Sequence, residues 1–69
     1  MSGIHEGRVA TFDDDAGFGE VVDGEGRRWW FHCTAIADGT RTIADGASVC
    51  FVVVPGRLGR WEAADLRPA

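Results

Sequence analysis

The sequence has no lysine: its seven basic residues are all arginine and stand against eleven acids, for a formal net charge of −4. This balance excludes a tight, indiscriminate binder of duplex DNA, because such binding rests on neutralising many phosphates. It leaves single strands open, since bases can be held by stacking as well as by charge. No run approaches the roughly 20 apolar residues that span a bilayer. The N-terminus, Met1-Ser2-Gly3-Ile4-His5-Glu6, has neither the basic flank nor the apolar stretch of a signal peptide. The chain therefore reads as cytoplasmic, with no membrane partner. Cysteine occurs at Cys33 and Cys50 alone, and a reducing compartment favours free thiols over a disulfide. There is no Cys-x-x-Cys and no second histidine at ligand spacing, so His32 beside Cys33 does not make a metal site. The acidic run Asp13-Asp14-Asp15 lacks the spacing of a calcium loop and reads as a solvated turn. No serine sits in a nucleophile elbow, so neither an enzyme nor a cofactor is expected. A sustained helical period, internal repeats and low-complexity linkers are missing as well.

What remains is a chain of 69 residues, enough for one small domain. With 45% hydrophobic and 26% charged residues it is globular in composition. Its ten glycines punctuate short runs rich in Val, Phe, Trp and Thr, the pattern of hairpins in an all-β domain. The first run, Arg8 to Phe12, ends in the acidic turn. Gly17 to Val22 follows and closes on Asp23-Gly24-Glu25-Gly26, where Asp-Gly favours a tight turn. Arg27 to Cys33 reads as a third strand, and Thr34 to Gly39 has room for one helical or tight turn. Ser48 to Val54 forms a fourth strand with Val49, Phe51 and Val53 inward, and Trp61 to Leu66 a short fifth. Such an order suits a closed or nearly closed barrel without exposed edges. The domain is expected over 7–66, with loose ends at 1–6 and 67–69.

The placement of the aromatic residues adds a family likeness. Gly17-Phe18-Gly19 followed by Glu20-Val21 resembles the first ribonucleoprotein motif of cold-shock domains, usually Lys-Gly-Phe-Gly-Phe-Ile. Trp29-Trp30-Phe31-His32 resembles the second, usually Val-Phe-Val-His, at the family's usual interval. Thr34-Ala35-Ile36 is similar to the Ser-Ala-Ile that follows it, and Asp45-Gly46 with Val49 and Phe51 to the Glu-Gly and Val-x-Phe of the fourth strand. The resemblance runs from Gly7 to Leu66 and implies a five-stranded antiparallel oligonucleotide-binding barrel that stacks single-stranded nucleic acid. Strand alternation agrees with it. If Val21 and Phe31 are core, Phe18, Trp30 and His32 share the outer face, and glycines between the aromatics let flat rings approach.

The departures from the family are equally specific. Where it has Lys-Trp-Phe-Asn on the first strand, this chain has Ala10, Thr11, Phe12 and Asp13. The leading lysine of the first motif is Ala16, its second stacking phenylalanine is Glu20, the aromatic after the histidine is Cys33, and a loop aromatic is Thr40. Glu20 sets a carboxylate in the middle of the stacking face, where it repels phosphates. Arg28, Arg41, Arg57 and Arg60 are the cations that could compensate, because guanidinium pairs with phosphate and stacks on bases. Trp29 falls where the family has valine and reads as an oversized core or barrel-end residue. Trp61 either caps the barrel or adds an aromatic to its rim.

The site expected from the sequence is Phe18, Trp30 and His32 as stackers, with Arg28, Arg41, Arg57 and Arg60 on phosphates. Two functions follow. One is non-catalytic binding of single-stranded RNA or DNA, with a chaperone-like trapping of opened RNA hairpins as its extension. The other is a protein-interaction module that has kept the barrel and given up nucleic acid.

Overall fold

A computed structural model of the chain describes residues 3–37, 42–56 and 59–69. Five strands, β1 (Ile4–Asp13), β2 (Phe18–Asp23), β3 (Arg28–His32), β4 (Ser48–Pro55) and β5 (Trp61–Pro68), close into a barrel in the order β1-β2-β3-β5-β4. The first three form an antiparallel meander, and β4 pairs antiparallel with both β1 and β5. The β3–β5 contact is parallel, through Trp30 and Glu62, so the barrel is mixed where the sequence suggested a purely antiparallel one. Short turns dictate antiparallel neighbours along the meander. The β3–β5 seam joins strands that are distant in sequence, which leaves its direction to barrel closure. A 3-10 turn, Cys33–Ala35, follows β3, close to where the sequence has room for one helical or tight turn.

The core is Val9, Val21, Phe31, Val49, Phe51, Ala63 and Leu66, joined by Ile36; on β5 a positive φ of 55° at Asp65 interrupts the alternation, so that Ala63 and Leu66 are both buried. Val53, expected inward, is half-buried and packs against this cluster. A β-bulge between Val9 and Thr11 shifts the β1–β2 register. The extra residue lets Val9 and Phe12 both point inward while Thr11 faces out. Phe12 uses that position to stack on Phe31, with ring centroids 5.6 Å apart and planes 6° from parallel.

Both chain ends are tied more firmly than the sequence suggested. Residues 4–6, read as tail, belong to β1 and pair with β4 at Val52, Phe51 and Cys50. His5 stacks on Phe51 at 5.5 Å and lies 6.0 Å from Trp29, so His5 and Trp29 close one end of the barrel. At the other terminus Pro68 pairs with Val49, and the Ala69 N–H donates to the Ser48 carbonyl at 3.1 Å. Barrel closure is the physical reason: β4 needs partners along its whole length on both sides, and these segments supply them.

The β2–β3 hairpin is built on Asp23. Its Oδ1 accepts the Glu25 N–H at 2.9 Å and the Arg27 N–H at 3.0 Å, and its Oδ2 accepts the Trp29 indole N–H at 3.3 Å. Desolvation pushes the carboxyl pKa upward. The backbone donors of Arg27 and Glu25, the indole and the Arg27 charge outweigh it, so the pKa falls below the ordinary 3.8. A depressed folded-state pKa stabilises the fold fully above the unfolded value, and that contribution is lost as pH falls through the folded one. Asp23→Asn is therefore expected to lower the melting temperature near neutrality and to flatten its fall in acid below pH 3.8. Melting curves recorded across that range check this; parallel pH profiles for the two proteins would contradict it.

Candidate nucleic-acid interface

The outer face of the meander carries the site. In register across β1, β2 and β3 lie the row Asp13, Phe18, His32 and the row Thr11, Glu20, Trp30. Phe18 and Trp30 are the exposed aromatics of this face, at 42% and 36%. Their ring centroids are 5.6 Å apart, and Trp30 lies 6.4 Å from the exposed His32. The structure thus brings together the three stackers expected from the sequence, as one continuous aromatic surface open to solvent. Thr11, exposed opposite Glu20, continues this face on β1 without adding a ring.

His32 is oriented by the turn that follows it. Its Nδ1 accepts the Thr34 N–H at 3.2 Å and lies 3.0 Å from the Thr34 hydroxyl and 3.7 Å from the Cys33 thiol. With Nδ1 accepting, the proton of the neutral ring is on Nε2, a donor able to meet a base edge. Below it, Gly17 adopts φ 79°, and its carbonyl accepts the Cys33 N–H at 2.7 Å. This left-handed conformation joins the acidic turn to β2 and favours glycine, which has no Cβ to oppose it. Gly19 has a different role from the one its place in the motif suggested. It faces inward against β1, and an added Cβ would run into the Thr11 carbonyl and come within 2.9 Å of the Phe12 Cα. The glycine therefore lets β1 approach at the bulge and does not serve the outer ring surface.

Charge around the rings is more balanced than the net −4 implies. Glu20, expected to repel phosphates, is paired: Arg28 Nη1 donates to its Oε1 at 3.1 Å. The pair lies diagonally across the hairpin on the outer face, a geometry two strands favour. Arg28, expected to hold phosphate, is thus committed to Glu20. Arg60 is exposed and in no ion pair among the described residues; Arg41 and Arg57 lie outside the described residues. Arg8 is the cation that sequence reasoning missed. It is exposed on β1 in the row Arg8, Val22, Arg28, next to the ring row and on the same face. The signal was present, since Arg8 precedes the inward Val9 and alternation turns it outward.

The acidic run builds its own turn. Asp13 Oδ1 accepts the N–H groups of Asp15 and Ala16 at 3.0 and 3.1 Å, and Asp14 accepts the Thr42 hydroxyl at 2.7 Å. Cys33 and Cys50 are both free thiols, as expected. Trp29 is half-buried at the barrel end, one of the two readings open from the sequence. Trp61 is 59% exposed, which places it on the rim rather than in the barrel as a cap. No helix among the described residues is long and apolar enough to cross a membrane.

The chain matches the family model of the "'Cold-shock' DNA-binding domain" over residues 5–69. It is also 33% identical over 60 residues to the cold shock proteins CapB of Pseudomonas syringae pv. tomato and Pseudomonas fragi, an alignment covering 86% of this chain and 87% of each relative. The matched span takes in the five strands from His5 onward and the whole aromatic face, and the chain belongs to the cold-shock domain family.

Proposed function

We propose that this cold-shock domain is a non-catalytic, cytoplasmic binder of single-stranded nucleic acid, RNA or DNA, that holds bases by stacking on Phe18, Trp30 and His32. The observation that carries the reading is the exposure of these rings on one sheet face, with Trp30 at their centre, 5.6 Å from Phe18 and 6.4 Å from His32 between ring centroids. Each stacked base contributes on the order of 1–3 kcal/mol. With Arg28 paired to Glu20, phosphate contact is assigned to Arg8, which shares the face, and to the exposed Arg60. The family likeness supports the same reading, because the matching family model is described as DNA-binding. A surface that holds unpaired bases also traps RNA hairpins in their open form, which gives a chaperone-like action without chemistry.

Titration of tryptophan fluorescence at low salt with short pyrimidine-rich and mixed single strands tests this reading. Saturable quenching is expected with both RNA and DNA. Unchanged emission at high micromolar oligonucleotide would overturn it.

A further inference from the structure

We infer that Glu20 makes this face selective among bases, favouring guanine and disfavouring thymine and uracil. The inference rests on the nucleic-acid reading above and adds to it the choice of base. Glu20 is the register partner of Trp30, and both side chains stand on the outer face. Directly opposed residues on neighbouring strands lie about 5 Å apart at Cβ, so a base stacked on Trp30 brings its edge to the Glu20 carboxylate. That carboxylate is held in place. Arg28 Nη1 binds Oε1 at 3.1 Å, and the Glu20 side chain is 40% exposed, so it stays within reach of a ligand. Glu62 flanks Trp30 on β5, but its carboxylate lies over Gly56, which leaves Glu20 as the acceptor beside the ring.

An ionised carboxylate only accepts hydrogen bonds, and its two oxygens have capacity beyond the one taken by Arg28. Guanine presents two adjacent donors, N1–H and the N2 amino group, spaced for those oxygens. Adenine and cytosine present one amino donor each. Thymine and uracil set a single N3–H between two carbonyl oxygens, which face the carboxylate with like charge. The affinity order is therefore guanine, then adenine and cytosine, then thymine and uracil.

The test is fluorescence titration with a thymine-only DNA strand and one of the same length in which alternate thymines are guanine. Guanine should tighten binding about tenfold, the range of one good bidentate base contact. Inosine, which lacks the N2 amino group, should lose most of that gain in a protein left unaltered. In Glu20→Gln the thymine strand should bind tighter and the guanine strand weaker, so that the two converge. Equal affinity for both strands, or a guanine preference that survives Glu20→Gln, would overturn the inference while leaving the nucleic-acid reading intact. No response to any strand would remove both.

Discussion

Phe31→Ala is expected to leave the chain without a cooperative thermal transition. Phe31 is fully buried, stacks on Phe12, and stands in β3 between β2 on one side and β5 on the other. Truncating a buried phenylalanine to alanine costs about 3–5 kcal/mol, from lost burial and from the cavity left behind. A domain of 69 residues has a total stability of roughly 3–10 kcal/mol at the usual values per residue. The substitution therefore removes much or all of what holds the fold. Among the described residues the other large fully buried side chains are Phe51, Leu66 and three valines, none of which can fill the gap next to Phe12 without moving. Thermal melts followed by circular dichroism check this. A melting temperature within a few degrees of the parent would show that Phe31 is not central to the core.

Trp30→Ala is expected to have the opposite profile, with a large effect on binding and a small one on stability. Trp30 is the ring in contact with both Phe18 and His32, so its removal takes away the largest part of the stacking surface. Loss of one stacked base costs on the order of 1–3 kcal/mol, roughly 5- to 150-fold in affinity. On the stability side it loses cross-strand contacts on a solvated face, about 0.2–1 kcal/mol. Oligonucleotide titration followed by a fluorescent label on the strand, together with a thermal melt, separates the two effects. Unchanged affinity would remove Trp30 from the site, and a collapse of the melt would make it a structural residue.

The two variants differ because adjacent residues of one strand face opposite ways, and this much was legible in the sequence. Alternation along Trp29-Trp30-Phe31-His32, anchored by Phe31 as core, places Trp30 and His32 outside. The same rule on Gly17 to Val22 places Phe18 with them. The β2–β3 hairpin was legible because Asp23 and the glycines after it specify a tight turn. The β1 bulge was not, since it answers to the packing of Phe12 on Phe31 and leaves no local mark. Nor was the start of β1 at Ile4: Ile4-His5-Glu6-Gly7 carries little strand signal of its own, and its order comes from pairing with β4. The parallel β3–β5 seam is likewise a property of closure. The Glu20–Arg28 pair sits between these cases. Each residue could be placed on the outer face, but their diagonal approach follows from the register that the turn sets, and so the commitment of Arg28 to Glu20 emerged with the fold.

The central claim is that Phe18, Trp30 and His32 form the contact surface for single strands. The chain's three tryptophans report on distinct places: Trp29 at the barrel end with its indole N–H bound to Asp23, Trp30 on the ring face, and Trp61 on the rim. The most direct measurement follows their indole N–H resonances by heteronuclear NMR as a short single strand is added. The Trp30 signal should move progressively and saturate while that of Trp29 stays in place. Movement of Trp61 alone, or of none of the three, would contradict the account.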